Sequence, residues 1–78
     1  MYLSVKDVKP LSNYLLLLTL ENGEERQFDM KPLLDHGIFK ELKKRTLFNS
    51  VRVSFDTTEW DNEADLDPEF LYSNSILL

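Results

Sequence analysis

Four consecutive leucines, Leu15 to Leu18, sit inside the stretch Tyr14–Leu20, and Asn22-Gly23 follows two residues later. The run is apolar on both faces, so its period alone does not separate a strand from a buried helix. The flanks decide. Glu24–Asp29 is again extended in pattern, and Asn-Gly between two strand-like runs is the strongest short hairpin signal, because both residues tolerate positive φ. Leu3–Lys9 alternates apolar and polar residues, with Leu3 and Val5 on one face. It reads as a first strand, ended by Pro10 and turned by Ser12-Asn13. Three strands in sequence with short turns predict a meander.

The remainder predicts what covers that meander. Asp29-Met30-Lys31-Pro32 reads as a capped helical turn, with the Asp29 carboxylate taking exposed backbone N–H groups. After Gly37, the spacing of Ile38, Phe39 and Leu42 against Lys40, Lys43 and Lys44 predicts an amphipathic helix over 38–49, with Phe48 packed beneath its end. Val51, Val53 and Phe55 alternate with Arg52 and Ser54, predicting a half-buried strand; Thr58–Trp60 follows as a short one. Asp67-Pro68-Glu69 is a helix start: a capping acid, proline at the first helical position, then an acid at the positive helix end. Residues 1–72 therefore read as one α+β domain. It has a mainly antiparallel sheet of about five strands, one covering helix and a short C-terminal helix. Residues 73–78 read as a tail, whose Ile76, Leu77 and Leu78 are apolar enough to pack back on the domain or on a neighbour.

A chain of 78 residues buries only roughly 60–65% of the surface its unfolded form exposes. Its core is thin, and small domains often add a disulfide, a metal or a partner. Cysteine is absent, which excludes disulfides and thiolate metal sites. The start Met1-Tyr2-Leu3-Ser4-Val5-Lys6-Asp7 lacks the basic and apolar segments of a signal peptide, and the longest aliphatic run is far short of a membrane helix. The expectation is a soluble, cytoplasmic protein.

The net charge is −5, which argues against binding a nucleic-acid backbone. Lys40, Lys43, Lys44 and Arg45 form a basic helix face, but without interleaved exposed aromatics it reads as a solvated face. The acids are more concentrated. Asp56, Glu59, Asp61, Glu63, Asp65, Asp67 and Glu69 lie in one segment without a lysine or arginine.

Across most of the chain the residues resemble a known family. The strand Leu16, Leu18, Leu20 before Asn22-Gly23, the Phe28-Asp29 pair, Phe39 with Leu42, and Phe48 with Val51 fit it. The specific part is the closing signature Trp60…Ala64-Asp65-Leu66-Asp67-Pro68…Leu71-Tyr72. Together they resemble the bacterial domain-of-unknown-function family 2442 (DUF2442). The family usually has glycine just before the Ala-Asp-Leu; here the place holds Glu63, so any tight turn there must carry a side chain. The resemblance implies a small stand-alone protein, or a domain joined to a helix-turn-helix module, in some members encoded beside another short protein in a toxin–antitoxin-like arrangement. No helix-turn-helix fits after Tyr72.

No catalytic, cofactor or metal site is expected. Asp61, Glu63, Asp65 and Asp67 alternate as in a calcium loop, but the sixth and twelfth places hold Leu66 and Tyr72 instead of glycine and glutamate. Asp67 is read as a helix cap and Asp65 as a turn cap. His36, the one histidine, lies in a loop without a partner base or nucleophile. With two glycines there is no phosphate cradle. The expectation is a non-enzymatic interaction domain, antitoxin-like or regulatory. Its candidate partner surface is Trp60, Asp61, Glu63, Asp65, Asp67 and Tyr72, and its expected partner a basic protein. Trp60 itself reads more readily as core, under the last helix. Two alternatives stand beside this. One is a homodimeric accessory domain of a transcription-regulatory system, touching through a strand edge or Ile76–Leu78. The other is a ligand-binding protein or enzyme with a pocket near Trp60.

Overall fold

A computed structural model describes residues 4–78. Leu3, expected in the first strand, lies outside the described residues. Four antiparallel strands form the main sheet in the order β1-β2-β3-β6: β1 Val5–Leu11, β2 Leu15–Leu20, β3 Glu25–Asp29 and β6 Ile76–Leu77. A second, two-stranded sheet pairs β4 Arg52–Ser54 with β5 Thr57–Glu59. The helices are α1 Arg45–Phe48 and α2 Pro68–Asn74, with 3-10 segments at Lys31–Leu33 and Gly37–Lys43. The chain is α+β with an N-terminal meander, as its pattern predicts.

The run of leucines resolves into two faces. Leu16, Leu18 and Leu20 are buried; Leu15 and Leu17 are half-buried on the other side. Cross-strand register places Val8 and Pro10 beside Leu18 and Leu16, and Phe28 beside Leu16. Val8, Leu16, Leu18 and Phe28 join Met30, Leu34, Leu42, Phe48, Trp60, Ala64, Leu66 and Leu71 in a single core cluster. All covering elements therefore sit on one face of the sheet.

Several local expectations are corrected. Pro10 does not end β1, which runs on to Leu11; at an edge strand proline removes no ladder bond that a neighbour needs. In the β2–β3 turn only Gly23 has positive φ (87°), while the Asn22 side chain accepts from the Glu24 N–H at 3.0 Å. Leu20 accepts from the Gly23 N–H and donates to the Glu24 carbonyl, each at 2.9 Å, so the turn is a three-residue loop ending in a glycine bulge. The helix predicted over 38–49 is broken. Residues 37–43 are 3-10, Lys44 is extended (ψ 117°), and only one α turn follows. The reason is tertiary: the Lys43 carbonyl accepts the Tyr14 hydroxyl across the fold. Arg45 in turn reaches back to the Leu11 carbonyl at 2.8 Å.

Beyond Ser73 the chain is structured. Helix α2 continues to Asn74, and Ile76 and Leu77 pair with Gln27 and Arg26. Arg26 fixes this closure. It stands among apolar neighbours on the core side of β3, its guanidinium 4.4 Å from the Tyr72 ring centroid. It donates to the Ser75 hydroxyl at 2.7 Å and the Ser75 carbonyl at 3.1 Å, just past the negative end of α2.

Candidate functional site

The segment 60–67 is built from the inside out. Trp60 is fully buried, and its indole N–H donates to the Phe48 carbonyl at 3.0 Å. A turn follows, with the Glu63 N–H donating to the Trp60 carbonyl at 2.9 Å and the Trp60 N–H to the Ala64 carbonyl at 3.0 Å. Asn62 caps it: its side-chain oxygen accepts from the Ala64 N–H at 3.1 Å, and its amide donates to the Glu41 carboxylate at 3.0 Å. The chain then runs beside β5, with Asp65 bridged to Glu59 and the Thr57 hydroxyl donating to the Leu66 carbonyl. Ala64 and Leu66 point inward and are buried; Asp65 and Asp67 alternate with them outward. Asp67 then caps α2, accepting from the Glu69 N–H at 2.8 Å.

The closing signature is thus a scaffold whose odd-numbered positions carry acid to the surface. Asp56, Glu63, Asp65, Asp67 and Glu69 are exposed and have no ion pair among the described residues. Asp61 and Glu59 are partly neutralised by Arg52, at 2.7 and 3.6 Å.

Two of the expected surface residues do not belong to this face. Trp60 supports it from beneath but is sealed in the core, because its ring packs on Phe48 at a centroid distance of 6.5 Å. Tyr72 is half-buried and covered by Arg26. Asp65 does not cap the turn, since Asn62 takes that place. Asp61, Glu63, Asp65 and Asp67 are all exposed.

One residue enters the site against expectation. Val53 and Phe55 were placed inward by alternation, but Val53 is 37% and Phe55 97% exposed. The register Ser54↔Thr57 makes Phe55-Asp56 the two-residue loop of the hairpin. Both have positive φ, 50° and 68°, as a type I′ turn requires. A phenylalanine is rare in that conformation. The Asp56 carbonyl accepts from the Val5 N–H at 2.9 Å, which moors the tip to β1.

The basic face is smaller than predicted. Arg45 is half-buried, with its guanidinium 4.7 Å from the Phe48 ring and 5.2 Å from Tyr14. Lys43 pairs with Asp35 at 2.7 Å. That ammonium, through its hydrogen bond and its charge, holds the Asp35 carboxyl below its ordinary value. His36 is exposed ahead of the 3-10 segment.

Among the described residues, no group of three or more His, Cys, Asp or Glu is close enough to hold a metal. No helix among them is long and apolar enough to cross a membrane. Clefts are present among the described residues. An open one of about 450 Å³ is lined by Lys40, Glu41, Lys44 and Leu47. A smaller one of about 190 Å³ lies between Phe28, Asp29, Pro32, Leu33, Phe70 and Asn74. Trp60 lines neither.

No curated protein and no solved structure matches the chain. One family model does, over residues 5–76. That span takes in β1 through α2 and the first residue of β6, including the buried Ala64 and Leu66, the Asp67 cap and the turn in which Glu63 stands. The chain therefore belongs to the family described as protein of unknown function (DUF2442).

Proposed function

We propose that this is a non-enzymatic protein-interaction domain, the antitoxin-like or regulatory member of a small two-protein system. Its working face is the β4–β5 tip together with the acidic segment behind it. The observation that carries the reading is Phe55. An aromatic ring almost wholly in water, held at positive φ, contributes nothing to this fold that a smaller residue would not supply better. Burying it in a partner's pocket gains roughly 2 kcal/mol. Five exposed carboxylates in the same part of the chain select a partner that is basic around that pocket and steer its approach.

The test is affinity capture from the native host at low and moderate salt. The bait is the wild-type domain, with Phe55→Ser and Asp65→Lys variants alongside. A partner retained by wild type, lost with Phe55→Ser and weakened by salt and by Asp65→Lys is the expected result. An identical set of proteins on all three baits overturns the reading.

A further inference from the structure

The β2–β3 turn carries a reactive pair as well as a hairpin. The sequence has Asn13, Asn22, Asn49, Asn62 and Asn74, and only Asn22 is followed by glycine. Closing an asparagine side chain onto the next backbone nitrogen needs that nitrogen unobstructed, and glycine alone has no Cβ in the way. Asn22 and Gly23 are both exposed. A Cβ built on Gly23 would meet nothing within 4 Å, so the tip of the loop has room for a ring.

The hydrogen bonds single out the same residue. The Asn22 side-chain oxygen accepts from the Glu24 N–H at 3.0 Å. A donor there stabilises the charge that this oxygen takes up when its carbon is attacked. The Asn22 amide nitrogen, which has to leave, has no hydrogen-bond partner among the described residues. The other asparagines are held or obstructed. The Asn62 amide donates to Glu41 and its oxygen accepts from the Ala64 N–H. The Asn74 amide donates to the Phe70 carbonyl at 2.9 Å. Asn49 has a helical backbone with Ser50 after it, and Asn13 precedes the half-buried Tyr14. One bond opposes reaction at Asn22: the Gly23 N–H donates to the Leu20 carbonyl at 2.9 Å. The reaction therefore runs through local opening of the loop.

We propose that Asn22 is a site of spontaneous deamidation, with an isoaspartyl linkage as the main product. The Gly23 nitrogen attacks Cγ of Asn22 and a C–N bond forms. The Gly23 N–H proton passes through water to the departing nitrogen, ammonia leaves, and a cyclic succinimide remains. Water then opens the ring. Cleavage of the new bond to Cγ gives aspartate; cleavage at the main-chain carbonyl gives isoaspartate. The main-chain carbonyl is attacked more readily, because the amide on the adjacent Cα withdraws electrons from it. Water is the only co-reactant. Either product adds a carboxylate to a chain of net charge −5. The isoaspartyl form also adds a methylene to the main chain, inside the loop closed by the Leu20–Glu24 bond at 2.9 Å. Loop length sets hairpin register, and that register hangs Leu16, Leu18 and Leu20 in the core. The modification thus loosens the central strand of the meander.

The test incubates the full chain at mildly alkaline pH, folded and, in parallel, unfolded in guanidinium chloride. Peptide mapping by mass spectrometry follows amide-to-acid conversion at each asparagine. Conversion of Asn22 in the folded chain is expected, slower than in the unfolded one, with isoaspartate the larger product. The other asparagines of the folded chain should be intact when half of Asn22 has reacted. The aged chain should unfold at a midpoint lower by roughly 5 °C. Asn22→Gln, whose longer side chain closes a ring far less readily, should keep its own midpoint when incubated alike. A folded Asn22 still intact once the unfolded chain has fully converted there overturns the inference. So does earlier conversion at another asparagine of the folded chain, or an aged Asn22→Gln that loses stability as wild type does.

Discussion

The indole N–H of Trp60 and the backbone carbonyl of Phe48 meet at 3.0 Å inside the core, with both side chains fully excluded from water. The contact ties the acidic segment to the end of α1. The same carbonyl also accepts from the Val51 N–H at 3.4 Å, so it serves as the node where α1, β4 and the 60–64 turn converge. Trp60→Phe removes the donor and part of the ring. A loss of about 2 kcal/mol in urea unfolding is expected, and Trp60→Ala should leave too little core for a stable fold.

Glu63 stands at φ 69° in the turn that Trp60 closes. The turn forms with its side chain in place, because two backbone bonds and the Asn62 cap hold it, but the left-handed region strains any residue with a Cβ. Glu63→Gly should raise stability by about 0.5–1 kcal/mol, the lost strain outweighing glycine's greater entropy when unfolded. Thermal unfolding reads this as a higher midpoint; a lower one would show that the carboxylate makes a compensating contact.

The hydroxyl of Thr58 is fully buried and finds no hydrogen-bond partner among the described residues. A buried unsatisfied hydroxyl is costly, and valine has nearly its shape. Thr58→Val should therefore stabilise the domain by about 1 kcal/mol in denaturant titration. Thr57 is the contrasting control. Its hydroxyl is used by the Leu66 carbonyl, so Thr57→Val should destabilise by about the same amount.

Arg45 lies over two aromatic faces and bonds the Leu11 carbonyl. Lysine keeps the charge but not the planar fork that does both at once. Arg45→Lys is expected to lose most of what Arg45→Ala loses, about 1–2 kcal/mol. Equal stability of Arg45→Lys and wild type would show that charge alone suffices.

The hydrogen bond and charge of Lys43 hold the Asp35 carboxyl below its ordinary value. A folded-state value below the unfolded one means that the pair's contribution is present above the unfolded value and lost as pH falls through the folded one. Carboxyl NMR titration should place Asp35 below the ordinary aspartate range, and Lys43→Gln should bring it back up. Because the group is fully exposed, salt should narrow the shift.

The sequence by itself determined the α+β class, the meander and the Asp67 cap, because each rests on a local rule: strand alternation, turn chemistry or a side chain meeting its own helix N-terminus. Arg26 and Arg45 were not legible, since their partners Ser75 and Leu11 lie far away in the chain. The break in the 38–49 helix has the same cause: the Tyr14 hydroxyl takes a carbonyl that a continuous helix would use. Only the tertiary structure decided which face of the strand at 51–55 looks inward. Pairing with β5 turned Phe55 out into the hairpin loop, where alternation along one strand no longer applies. The acidic stretch was visible from composition, but that its acids alternate with buried Ala64 and Leu66 beside an exposed phenylalanine depends on how β5 and the 64–66 segment run side by side.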